Sequence, residues 1–133
     1  MKTLNDIIDL IDVYGCITAG PSFGSFSCYA AEQISKNRGV LLVTAHLDDA
    51  DEYVAMLRDL NVEVELFPVL ESEIAKDIVA SRLSILEQIS LGSFPQVIVA
   101  SIPSLMQMSP SPNKIGDVIK RLVVGDSCSL LDL

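Results

Sequence analysis

The sequence predicts an α/β domain in three layers, a mostly parallel sheet with helices flanking it on both faces. Three observations carry that expectation. Short apolar runs alternate with segments whose apolar residues recur at helical spacing. One run, Val40-Leu41-Leu42-Val43, is apolar at every position, the pattern of a parallel strand covered on both faces. The resulting order β-α-β-α-β-α-β implies right-handed crossovers between parallel strands.

Taken in order, Leu4, Ile7, Ile8 and Ile11 share one helical face, and Asp6, Asp9 and Asp12 lie on the other, so a short amphipathic helix opens the chain. Gly15 ends it, and Cys16-Ile17-Thr18-Ala19 reads as a brief buried strand. Phe26, Ala30 and Ile34 mark a second helix that closes near Asn37-Arg38-Gly39. After the Val40 strand, Leu47, Ala50, Val54 and Leu57 give a third helix. Its first turn holds Asp48, Asp49, Asp51 and Glu52, which complement the positive end of the helix dipole and read as a solvated capping cluster.

Val62, Val64 and Leu66 alternate with Glu63 and Glu65, which places this strand at or near a sheet edge. A long helix over about 72–91 follows, with Ile74, Ile78, Val79, Leu83, Leu86 and Ile89 as its inner stripe and Gly92 as its stop. Val97-Ile98-Val99-Ala100 is a buried strand, and 103–108 a short helix. Ser109-Pro110-Ser111-Pro112-Asn113 is the one punctuated stretch, and it divides the chain into a domain over 1–113 and a following segment over 114–133. In that segment 119–124 reads as a strand and 127–133 as the start of an uncapped pattern, expected for a piece of something longer.

Bulk properties exclude several classes. The 133 residues fit one core-forming domain, and 50% hydrophobic against 20% charged residues marks a folded chain. No apolar run approaches a membrane span, and aspartates interrupt the N-terminal segment where a signal peptide needs apolar residues, so a cytoplasmic protein with no membrane contact is expected. Cys16, Cys28 and Cys128 lack metal-knuckle or disulfide spacing and read as small buried hydrophobes. The net charge of −9 and the scattered basic residues argue against direct nucleic-acid binding and suit a soluble domain or a docking surface for a basic partner.

The stretch GPSFGSFSCYAA, residues 20–31, has the place of a phosphate-binding loop between strand and helix. In a Walker A loop, G-x-x-x-x-G-K-[ST], backbone N–H groups cradle phosphates, a lysine reaches the β and γ phosphates and a hydroxyl binds magnesium. Counted from Gly20, the first glycine and the final hydroxyl, Ser27, remain. Ser25 replaces the second glycine and Phe26 the lysine, while Gly24 falls out of register. The cation that balances a triphosphate is lost, and Phe26 is expected to pack beneath its helix, substantially buried. The Val97 strand is followed by Ser101, so it supplies no magnesium-binding aspartate.

Gly20, Gly24, Ser25, Phe26 and Ser27 thus form a degenerate phosphate loop, with no cofactor, metal or catalytic residue expected. The lone histidine, His46, follows a strand end and reads as capping or solvent-exposed. Gly20 and Gly24 miss the dinucleotide spacing, and Thr18-Ala19-Gly20 stands where a phosphoacceptor domain needs acidic residues. Met56, Met106 and Met108 read as packing residues.

ITAGPSFGSFSCYAAEQI, GVLLVTAHLDDADEYVAMLRDL, VEVELFPVLES, DIVASRLSILEQI and VIVASIPSLMQMSP follow one another in that order. Together they resemble the N-terminal module of the bacterial transcription-repair coupling factor, itself similar to the first domain of the ATP-using, helicase-like protein of nucleotide excision repair. The resemblance spans about residues 14–126. It implies a P-loop NTPase or helicase-like fold that has lost its nucleotide site, in a parent ATP-dependent DNA translocase linking stalled RNA polymerase to nucleotide excision repair. This chain is then a non-catalytic module whose partners are the remaining domains of the parent and the damage-recognition protein of excision repair. The latter docks mainly on the domain that begins near 114–133. Two features depart from the family: the segment from Phe67-Pro68 to Asp77 lacks expected aromatic and proline residues, and Phe23 and Phe26 stand where small or basic residues are common. The alternative from another class is a stand-alone small α/β nucleotide-binding or regulatory protein.

Overall fold

The computed structural model describes residues 3–18, 20, 23–71, 76–119 and 123–127. Helix α1, Leu4–Tyr14, begins in a capping box: the Asp6 N–H donates to Thr3 Oγ1 at 3.3 Å and the Thr3 N–H to Asp6 Oδ2 at 2.6 Å. It ends where Gly15 turns left-handed, φ 73°, and returns its N–H to the Ile11 carbonyl at 2.7 Å. Cys16–Thr18 do not form the expected strand: among the described residues nothing pairs with them, and Cys16 is exposed rather than buried. An apolar run becomes a parallel strand only where a neighbour takes its N–H and C=O groups. Ala19 lies outside the described residues.

Helix α2 spans Gly24–Ser35 and strand β1 Val40–Thr44; α3 covers Leu47–Asp59, β2 Val64–Phe67, α4 Lys76–Ser90 and β3 Val97–Ser101. Short helices follow: α5, Ile102–Met106, a 3₁₀ turn at Pro112–Lys114, and α6, Ile115–Val118. The three strands are parallel in the order β1-β3-β2, with Val97 of β3 level with Val40 and Val64. β3 is therefore central and buried at every position, and β2 is an edge, as its alternating glutamates predict.

The three-layer arrangement follows from where α3 and α4 lie. On one face Leu57, Val54 and Ala50 of α3 and Cys28 and Ala31 of α2 pack on Val97 and Val99. On the other, Ile85 and Leu86 of α4 pack on Phe67, Ile98 and Ala100. The chain crosses from β1 to β2 over one face and returns to β3 over the other, as right-handed crossovers in opposite directions require.

Three expectations about burial are corrected. β1 is not covered on both faces. Val40 and Leu42 pack inward, while Leu41 and Val43 remain 55% and 46% exposed, because α4 lies over β2 and β3 and stops short of β1. In α2 the buried stripe is Cys28, Ala31 and Ser35, one step around from Phe26, Ala30 and Ile34. In α4 the buried residues are Arg82 and Ile85, whereas Val79 and Ile89 are exposed; Ile74 lies outside the described residues.

Gly92, φ 72°, follows the helix as expected. Beyond the proline-punctuated stretch, α6 packs against α4 and buries Ile115. Of the strand expected over 119–124, Ile119 is outside any strand and Val123 sits in a turn, its N–H donating to Asp126 Oδ2 at 3.0 Å; 120–122 and 128–133, with Cys128, lie outside the described residues. No helix among the described residues is long and apolar enough to cross a membrane.

Candidate functional site

The loop residues singled out by sequence do not converge on one point. Gly20 is exposed with open space around it, and Pro21 and Ser22 lie outside the described residues. Gly24 opens α2 behind Phe23, whose side chain makes no capping hydrogen bond. Gly24 has no positive φ, so it does not use the backbone freedom for which phosphate loops employ glycine.

Gly24 serves a packing role instead. A Cβ there would fall 2.6 Å from Tyr53 Cε1 and 2.8 Å from its hydroxyl oxygen, so the absent side chain makes room for a ring from α3. Ser25 faces a shallow depression bordered by Met56 and Asp59 of α3 and by Leu60, which caps it. Phe26 points the other way, into a groove with Ile7, Leu10 and Tyr14 of α1 and Cys16–Thr18. It is 40% exposed, not substantially buried as expected: it closes the α1–α2 groove instead of inserting beneath its own helix. Ser27 is half-buried within α2.

The electrostatics at this helix end are unfavourable for an anion. The first turn of a helix attracts phosphate through unpaired N–H groups and the macrodipole. Here the Phe26 N–H already donates to the Phe23 carbonyl at 2.9 Å, and the Tyr53 ring lies against Gly24. Burial first, then the charges of Asp49, Cys28 and Glu52, push the Tyr53 hydroxyl above its ordinary range. A phosphate placed at this end of α2 meets the same carboxylates.

Two predictions arise at this contact. Gly24→Ala gains helix propensity but displaces Tyr53, with a net loss of about 1 kcal/mol. In a Tyr53→Ala background the same change becomes neutral or stabilising, a coupling of about 1–2 kcal/mol readable by denaturant titration of the four proteins. The second concerns pH. Cys28 is buried, donates its S–H to the Tyr53 carbonyl at 3.9 Å, and is raised above the usual thiol range by burial and then by Glu52. Cys28 and Tyr53 both hold their protons more tightly when folded, so the unfolded chain ionises first. Their contribution is complete below about pH 9 and is lost as pH rises through the elevated folded values. Melting temperature is expected to fall on that limb, and Cys28→Ala to flatten its lower part.

The remaining sequence candidates are dispersed. His46 occupies the N-cap position of α3 without a side-chain capping bond; it is exposed, and its carbonyl accepts from Thr44 Oγ1 at 2.8 Å. No group of three or more metal-ligating side chains occurs among the described residues. Met56 packs on the core as expected, but Met106 and Met108 are exposed, a correction to their reading as packing residues.

A polar cluster that sequence reasoning missed lies at the carboxyl ends of β2 and β3. Arg82 is 4% exposed, lies 4.2 Å over the Phe67 ring, and donates to the Pro68 carbonyl at 2.7 Å, the Ser104 carbonyl at 3.1 Å and Ser109 Oγ at 3.0 Å. Its acceptors are neutral, and burial lowers its pKa. Gln107 Oε1 accepts the Leu70 N–H at 2.7 Å, and Gln107 Nε2 donates to the Leu70 carbonyl at 2.9 Å. Together they staple the loop after β2 to the segment after β3. The signal in the sequence is an arginine between Ile78 and Ile85, at i+4 and i−3, on a helix face otherwise apolar.

Beside the staple lies a crevice of about 180 Å³ between the first turns of α3 and the loop after β2. It occupies the region where the chain leaves β1 for one face of the sheet and β2 for the other, the place where open parallel sheets bind ligands. Among the described residues Asp51 and Glu71 are its charged lining, and Leu47, Leu66, Val69 and Ile78 form apolar wall.

The chain matches no protein-family model, and no curated protein or solved structure matches it.

Proposed function

We propose that this chain is a non-catalytic structural and interaction module of a transcription-repair coupling factor, a helicase-like P-loop domain whose nucleotide site has degenerated. The parent is then a cytoplasmic ATP-dependent DNA translocase that links stalled RNA polymerase to nucleotide excision repair. The remaining domains of the parent, and the damage-recognition protein of excision repair, are its partners.

The observation that carries the reading is the divergence of the loop residues. Where a working phosphate loop converges N–H groups, a lysine and a hydroxyl on one anion, Gly24 and Ser25 turn to α3 and Phe26 turns to α1. The ordered sequence resemblance supports the family, and a parallel three-stranded sheet flanked by helices is compatible with it. The reading frame tests the assignment: helicase motifs with an intact Walker A lysine encoded downstream are expected, and a frame without a motor overturns it.

A further inference from the structure

We propose that the crevice between α3 and residues 66–71 receives a lysine or arginine side chain from a basic segment of a protein partner. Size, wall chemistry and charge select that occupant. At about 180 Å³ the crevice falls below the 300–1,000 Å³ of sites that enclose nucleotides and drug-sized ligands, and it suits one side chain. Its apolar wall, Leu47, Leu66, Val69 and Ile78, matches an aliphatic stem, and the carboxylates of Asp51 and Glu71 match a cationic head. The nearby cation, Arg82, does not compete, because its donors are directed at Pro68, Ser104, Gln107 and Ser109. A net charge of −9 steers a basic partner toward the chain and repels polyphosphate and nucleic acid.

The crevice also has a stable frame. β2 and α3 belong to the cores on the two faces of the sheet, and the Arg82 and Gln107 bonds hold Pro68 and Leu70 in place. An incoming side chain therefore meets a preformed wall and carries little ordering cost. The inference rests on reading the chain as a binding module, and not on which parent protein contains it.

The test is a titration of the methyl-labelled chain with an acetylated, amidated hexa-arginine peptide, with hexa-glutamate and spermine as comparison probes. Saturable shifts of the Leu66, Val69 and Ile78 methyl groups are expected with hexa-arginine, none with hexa-glutamate, and weaker ones with spermine. The Asp51→Asn/Glu71→Gln variant is expected to lose at least tenfold in affinity. Asp9→Asn/Glu63→Gln, which removes equal charge away from the crevice, is expected to change it less than twofold. Equal losses in both variants, binding of spermine as tight as that of the peptide, or shifts that bypass the crevice methyls would each overturn the proposal. Nucleotide binding is read separately at Gly24–Ser27, so failure here is distinguishable from failure of the degenerate-loop reading.

Discussion

Arg82→Ala is expected to destabilise the domain by about 3 kcal/mol, one of the two largest single-residue effects in the chain. The substitution strands the buried carbonyl of Ser104 and the half-buried carbonyl of Pro68 and removes the cation stacked on Phe67. It also frees the loop after β2, which Arg82 and Gln107 tie down from opposite ends. Because the acceptors are neutral, no buried carboxylate is left uncompensated, and water reaching the vacated space recovers part of the loss. Arg82→Met, which keeps an unbranched stem against the ring, is accordingly expected to cost about 1–2 kcal/mol. Urea unfolding midpoints measure both. Hydrogen exchange at the Leu70 amide separates a staple from simple packing, since Arg82→Ala should accelerate it beyond the global change and Arg82→Met should do so too.

Leu57→Ala is expected to cost about 3 kcal/mol, a fall in melting temperature of roughly 10 °C. Leu57 is 0% exposed and sits where α3 meets the sheet, in one cluster with Val54, Val97 and Val99. The cluster joins α2, α3 and the central strand, so the cavity cannot be filled by a shift of one loop. Leu41→Ala probes the opposite case. Its side chain is more than half exposed on the uncovered part of β1, and its truncation should cost less than about 1 kcal/mol. A loss comparable to that of Leu57 would show that something covers this face in solution.

Local signals account for the elements that were legible in the sequence. The capping box at Thr3 and Asp6 and the left-handed Gly15 bound α1 from both ends, and each can be read from residues a few positions apart. The Ala50, Val54 and Leu57 stripe of α3 and the glutamate alternation that places β2 at an edge are likewise local. What failed depends on partners. Cys16–Thr18 are apolar enough for a strand, yet strand formation needs a neighbour that the run itself does not specify. The exposure of Leu41 and Val43 depends on how far α4 reaches across the sheet. The inner face of α4 was misplaced because Arg82, polar by type, is buried by stacking on Phe67 and by carbonyl acceptors from two distant loops.

The candidate site divides in the same way. The loss of the lysine at Phe26 is legible in the sequence, but what the small residue at Gly24 makes room for is the Tyr53 ring, a contact between helices. The pairing of Asp51 with Glu71 around one crevice is created by topology, since neither spacing nor composition relates them.

No strand precedes α2 among the described residues, and Phe26 stands where a phosphate loop needs a lysine; the functional reading stands or falls with the absence of nucleotide binding there. Thermal melting of the chain across a series of Mg-ATP concentrations is the decisive measurement. The melting temperature is expected not to move with nucleotide. A ligand held in the native state at a hundredfold over its Kd adds about 2.7 kcal/mol of stability. A concentration-dependent rise in melting temperature of that kind, lost when the Gly24 to Ser27 turn is altered, would contradict the loss of the site.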